Sequence, residues 1–443
     1  MVTANVKIIA SLKSNLDFIS QSVAIRQQFT VDPTDFSRDR KLPFKTIVGM
    51  LVNLPKRSLS VELQSFFENF GQLGTGCTKA AFSLQRIKLQ PFFFSFLNKL
   101  MVQDFYEFYG KNVKRWEGFR LLAVDGSNVG VVNVPKVLAH FGSADNQFGG
   151  VPMARIMQIH DVLNDLTIWG DIFPRSNSEN AIIANQIHHL PTDSLTLFDR
   201  GFPGFPLMYL LENHEVARHF VMRCKIGFSK DVKEFVASKK KDIITIIYPS
   251  IEAIVKLKEY GFCVTKVTGL KVRMVKIILP DGEVEVLLTN LYDKKTYSIK
   301  KMGRLYFMRW KIETTYSKQK NQMQMEIFTG HRVVCIQQDY AAGLLVSNLQ
   351  SIIEKQCDDE VCEISANRKY DYKVNRNVCW ASLKNRIVSL LIVNCDCLLI
   401  LLELQYLFVQ NIEPVRPGRS ELRPKPKRKR GKYQTYTNYR RAI

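Results

Sequence analysis

The sequence predicts an α/β protein built on a mixed sheet, and three observations carry that prediction. Between Gly118 and Ile226, short apolar runs alternate with segments of helical spacing: GFRLLAVDGSNV, MARIMQIHDVLND and LTIWGDIFP read as strands, SNSENAIIANQIHHL as a helix, LTLFDRGF as a strand, PGFPLMYLLENH as a helix and HFVMRCKI as a strand. On both sides of this block, apolar residues recur at helical spacing, so helices are expected to cover the sheet. The chain has 443 residues and is 46% hydrophobic, ample for a large core in more than one domain.

Taken in order, residues 1–115 are predicted to be helical and to form a DNA-binding region. FKTIVGMLVNL and FFFSFLNKLMVQDFYEFYG carry the periodicity. Between them Thr78 caps a predicted helix bearing Lys79, Gln85, Arg86 and Lys88, a candidate DNA-reading helix, with Lys79 and Arg86 as candidate contacts. Residues 116–227 form the first part of the α/β core. A turn is expected at Asn164-Asp165, and Ser176 or Ser178 caps the helix before LTLFD. Residues 228–300, rich in Val, Ile and Lys with a hairpin at Asp281-Gly282, read as a β-rich insertion. Residues 301–355 return to the core, 356–413 are C-terminal helices, and 414–443 form a basic tail. The apolar run Ile387–Val409 contains Asn394, Asp396 and Glu403, so a buried helix is expected rather than a membrane span.

Lys and Arg total 63 against 41 Asp and Glu, a formal net charge of +22. That excess points to a polyanionic partner, nucleic acid first. From Arg416 to Arg441 eleven basic residues face only Glu421, and the body of the chain carries the rest. The nine cysteines contain no CxxC pair, only Cys395 and Cys397 as a CxC, which argues against a zinc site and fits a reducing cytoplasm. MVTANVKIIASLKSNLD has no long apolar core, so no secretory signal is expected.

Two acids follow apolar strand runs, Asp125 after LLAV and Asp199 after LTLF. A third lies in YFMRWKIETTYSKQK. Read as one helix, this segment puts Tyr306, Arg309, Glu313 and Lys320 within roughly 60° of one another on its surface. Acids at strand ends converge on one edge of an α/β sheet, and a helix across that edge brings Glu313 to them. Three carboxylates about one point repel one another and call for cations; hard oxygen ligands suit Mg²⁺, with Mn²⁺ able to substitute, two ions per site. Arginine, tyrosine and lysine beside them suit phosphate oxygens.

LLAVDGS, LFDRGF and the Y-x2-R-x3-E-x6-K spacing, preceded by LLTNL, resemble a DDE transposase of the insertion-sequence four family, as do IFTGHRVVCIQQDYAAGLLVSNL and YKVNRNVCWASLK further on. The resemblance covers roughly residues 75–440. It implies an RNase H-like catalytic core interrupted by a β insertion, with Asp125, Asp199 and Glu313 as catalytic metal ligands and Tyr306, Arg309 and Lys320 as contacts to transposon-end phosphates. It further implies cleavage at terminal inverted repeats, a hairpin step, strand transfer into target DNA, a homodimeric synaptic complex, and a bacterial, nucleoid-associated location. The chain departs from the family in one respect. Relatives hold a flipped base on an insertion-domain tryptophan, whereas the tryptophans here are Trp116, Trp169, Trp310 and Trp380. Tyr248, Phe262 or Tyr292 would have to stack instead, and each also reads as a core residue. The competing readings are a catalytically inactive, DNA-binding relative and a metal-dependent nuclease on the same fold.

Other polar residues compete for a role. Asp165 reads as turn chemistry; Asp161 and Asp171 lie near the acidic strands; Asp193 falls in a turn. His160, His188 and His189 lack metal-ligand spacing. Arg200 beside Asp199 suits a phosphate, and Lys239–Lys241 reads as a solvated loop or a DNA rail.

Overall fold

The computed structural model describes residues 1–38, 40–146, 149–278 and 282–416. Its centre is one mixed sheet of strands β1 (Arg120–Gly130), β2 (Ser143–Asn146), β3 (Gly149–Asp161), β4 (Leu166–Pro174), β5 (Ser194–Phe198), β6 (His219–Cys224), β7 (Asp242–Ile247), β8 (Leu270–Ile278) and β9 (Val284–Thr289). The spatial order is β2-β3-β1-β5-β6-β9-β8-β7, with β4 also pairing β3. β1, β5 and β6 are parallel, while β3 runs antiparallel to β1 and β4 antiparallel to β3. The order β4-β3-β1-β5-β6, with its second-laid strand reversed, is the RNase H-like arrangement.

Strand alternation sorts the sheet's two faces. Leu122 and Val124 of β1 pack beneath helices Glu179–Asn185 and Phe205–Glu212. Leu121 and Ala123 face the segment Ile299–Ser317 and the start of helix Val333–Lys355. That last helix is buried along nearly its whole length, because its far half enters a separate helical core made by the N-terminal and C-terminal helices. It therefore ties the central sheet to the helical region.

Several expectations meet their elements. Thr78 and Ser178 cap their helices through the Ala81 and Ala181 amides, and Asp165 sits at a φ of 55° in its turn. Other features differ. Residues 228–300 contribute β7–β9 but also helices Lys230–Ala237 and Ile251–Glu259, and β9 pairs antiparallel with β6, so the segment widens the core sheet. β8 and β9 pair as expected of a hairpin, although Asp281 lies outside the described residues, as does the tail from residue 417. Ile387–Val409 is not one buried helix. A first helix ends at Leu391, and the Asp396 carboxylate caps a new one, Cys397–Val409, with Leu399 and Tyr406 exposed. Among the described residues no helix is long and apolar enough to cross a membrane.

Candidate active site

The parallel ladder of β1 and β5 ends at the pair Val124 and Phe198. The next residues, Asp125 and Asp199, therefore stand side by side at the carboxyl edge of neighbouring strands. β1 does not end at Asp125; it runs on to Gly130 beside β3, with Gly126 paired to Met157. The glycine is needed for space. A Cβ at Gly126 would lie 2.4 Å from Glu179 Oε1 and 2.8 Å from Met157 Sδ. Gly126→Ala is expected to displace Glu179 and cost about 1–3 kcal/mol by overpacking, read as a lower Tm.

Glu313 arrives on the opposite side of this edge, but not on one regular helix. Helix Ile299–Phe307 tightens into a 3₁₀ turn at Met308–Trp310, resumes as Lys311–Ser317, and widens into a π turn at Lys318–Gln322. These changes of winding re-aim the side chains one by one, as such turns do at functional sites. Tyr316 donates its hydroxyl to the Asp125 carbonyl at 2.7 Å, locking the segment to β1.

Arg309 lies between the acids. Its Nη2 donates to Glu313 Oε1 at 2.9 Å, and Nη1 is 3.6 Å from Asp125 Oδ2. The residue is 1% exposed, and its Nε and Nη1 have no hydrogen-bond acceptor in the structure. Asp199 is held from the other side by Arg223 Nη2 at 2.9 Å, which in turn is fixed by Glu285 at 2.6 Å. Burial above all, opposed by Arg309 and the Gly126 amide and aided by repulsion from Glu179 and Asp199, leaves the Asp125 carboxyl raised to about 7. Burial acts the same way on Asp199, yet the Arg200 amide, Arg309 and Arg223 together hold it below the usual carboxylate range.

The donor chemistry fits a hard divalent cation: the carboxylates surround a point that already demands positive charge, and Arg309 supplies it in this structure. With the guanidinium between them, no three His, Cys, Asp or Glu side chains among the described residues are grouped closely enough to hold one ion. A metal shared by Asp125, Asp199 and Glu313 requires Arg309 to withdraw.

The remaining site residues divide. Arg200 is exposed beside Asp199, and Lys79 is exposed on its helix. Tyr306, expected at a phosphate, is 4% exposed and turns its hydroxyl to Asp199 Oδ1 at 3.4 Å, because its side of the helix packs onto the sheet. Lys320 reaches Ser127 Oγ at 2.7 Å and the Asn128 carbonyl at 2.6 Å, bracing the end of β1. Arg86, expected on a DNA-reading face, is instead buried and bonded to Asp339 and Gln338, both at 2.8 Å. Among the secondary candidates, Asp161 accepts from Tyr106 and its own turn, Asp193 pairs with Arg115 and Arg120, and His160 lies between Thr167 and Thr315. His188 and His189 lie ring against ring at a tilt, and His189 stacks on Trp169. Tyr248 is exposed beside the end of β7, five strands from β1, roughly 24 Å along the sheet. Phe262 packs against Tyr209, and the Tyr292 hydroxyl bonds to the Lys271 carbonyl. The large exposed aromatics next to Arg309 are Phe307 and Trp310. Sequence reasoning missed Arg223 and Glu179; an arginine inside the apolar run HFVMRC was the one available signal for the first.

No protein-family model matches the chain. It is similar to the transposase InsG for insertion sequence element IS4 of Escherichia coli (strain K12), 26% identical over 241 residues, which is 53% of this chain and 52% of InsG. A stretch of 110 residues is 24% identical to InsZ of the same strain, covering 24% of this chain and 37% of InsZ. The chain thus matches about half the length of the first relative and about a third of the second. Among solved structures, a piggyBac transposase synaptic complex with hairpin DNA aligns over 94% of this chain and 84% of its own, with a TM-score of 0.40 and 11% identity.

Proposed function

We propose that the protein is a DNA transposase of the DDE type, binding the terminal inverted repeats of an insertion sequence and catalysing strand cleavage and strand transfer. The observation that carries the reading is the position of Asp125 and Asp199, each directly after the last paired residue of the parallel β1–β5 ladder, with Glu313 joined to them through Arg309. Similarity to InsG supports it. Asp125, Asp199 and Glu313 would hold two Mg²⁺ or Mn²⁺ ions, which when bound supply Lewis acidity and lower the pKa of an attacking water or 3′-hydroxyl.

The chain's own groups do the rest. Arg223 keeps Asp199 ionised and aimed, and Tyr316 and Lys320 hold β1 in place beside it. Arg309, on release from Glu313, offers a planar fork of N–H donors to a phosphate at the cut, and its Nε and Nη1, which have no hydrogen-bond acceptor, are donors of that kind. Arg200 adds a second cation at the mouth. Two copies of the chain would hold two element ends in one complex.

The test is product analysis on a labelled duplex carrying the element's own end, in Mg²⁺. A nick that leaves a 3′-hydroxyl at the element boundary, followed by joining to a second duplex, is the expected outcome. Cleavage without joining would reassign the protein as a nuclease, and end binding without any cut as an inactive relative.

A further inference from the structure

The helix Lys79–Arg86 does not present the reading face its sequence suggested. Arg86 is buried, Gln85 donates to the Leu42 carbonyl at 3.1 Å, and Lys88 pairs with Asp35 at 3.1 Å. What these contacts build is a groove. The Arg86 guanidinium crosses under it to Asp339, Gln338, Thr329 and the Cys335 carbonyl, so the helix is pinned to the loop between the catalytic segment and helix Val333–Lys355. Gly330 lets that loop turn tightly: a Cβ there would meet Cys335 Cβ at 2.6 Å and Sγ at 2.7 Å. The groove between the two walls holds about 530 Å³.

Lys79 and Ser83 line it from the helix, His331 and Arg332 from the loop, and Ser58 lines it as well. No carboxylate lines it among the described residues. The nearby acids are already engaged, Asp339 with Arg86 and Glu62 with Arg57. Lys79 and Arg332 are exposed and have no acidic partner among the described residues. The charge of the rim is therefore uncompensated, in a chain of net charge +22. Beside Leu59 and the exposed Leu84, the lining offers ammonium, guanidinium, hydroxyl and imidazole donors, which fit phosphate oxygens.

We infer that this groove is a cradle for the phosphodiester backbone of duplex DNA, gripping the element end independently of its base sequence. The inference rests on the transposase reading and adds where the duplex is held: between a helix that precedes the sheet and a loop that follows Glu313, so that docking spans both sides of the catalytic chain. Binding there registers the duplex without specifying it.

The experiment is a salt titration of duplex binding by fluorescence anisotropy, with wild type and the double variant Lys79→Ala/Arg332→Ala, on an element-end duplex and on an unrelated duplex of equal length. Both side chains are exposed, and equal Tm values for the two proteins verify that folding is intact. Loss of two phosphate contacts should lower the slope of log K against log salt by roughly 2 and weaken both duplexes by a similar factor. An unchanged slope in the double variant overturns the inference. So does a slope lost only in Lys239→Ala/Lys240→Ala/Lys241→Ala on the insertion, which would move the backbone contact there. A wild-type protein that binds neither duplex overturns the transposase reading itself, which the other outcomes leave standing.

Discussion

Glu313→Gln is expected to leave binding of the element end intact while cutting strand cleavage by at least about a thousandfold, some 4 kcal/mol in the barrier. The amide keeps the length of the side chain and an oxygen that can accept from Arg309 Nη2, so the local fold survives. It removes one of the charges that a divalent cation must find. Gel-shift affinity and single-turnover cleavage, measured on the same duplex, separate the two effects. Parallel losses in both would mean that Glu313 serves the fold or the DNA contact rather than the chemistry.

Arg309→Ala should have the second large effect, and its sign depends on metal. The guanidinium is buried among Asp125, Asp199 and Glu313 and is their shared counter-ion in this structure. Its removal takes the counter-ion from the half-buried Asp125 and the exposed Glu313, while Asp199 keeps Arg223, a loss of about 1–3 kcal/mol in EDTA, visible as a fall in Tm. Mg²⁺ or Mn²⁺ should restore much of that loss, because the ion takes over the charge the arginine supplied. The wild type should show a smaller metal-induced rise, since there the cation has to displace Arg309. A variant destabilised equally with and without metal would show that Arg309 is a packing residue and that the acids do not share a cation.

What the chain discloses before folding is local. Acids after apolar strand runs, the Thr78 and Ser178 caps and the Asp165 turn depend on neighbours in sequence, and each is found where its pattern indicates. The adjacency of Asp125 and Asp199 was also legible, since acids ending parallel strands share one sheet edge. The partners of the charged side chains were not. Arg309 could equally have faced solvent from a helix stripe, and only the turns at Met308–Trp310 and Lys318–Gln322 decide which groups meet. Arg86 looked like a surface cation because its ion-pair partner, Asp339, lies 253 positions away. Arg223 and Glu179 reach the acids by the same kind of tertiary choice, across strands and from a neighbouring helix. The insertion's helices escaped notice because LKVRMVKII and VEVLLT dominate its texture, while the helical KDVKEFVA and IEAIVKLKE are short.

The metal-dependent role of Asp125 is tested by comparing wild type with Asp125→Ala on one labelled duplex bearing the element's end, in Mg²⁺ and in EDTA. Cleavage at the element boundary by the wild type in Mg²⁺ alone, absent in EDTA and absent in the variant, is the result predicted from the adjacent acids Asp125 and Asp199. Cleavage that persists in Asp125→Ala, or in EDTA, would contradict it.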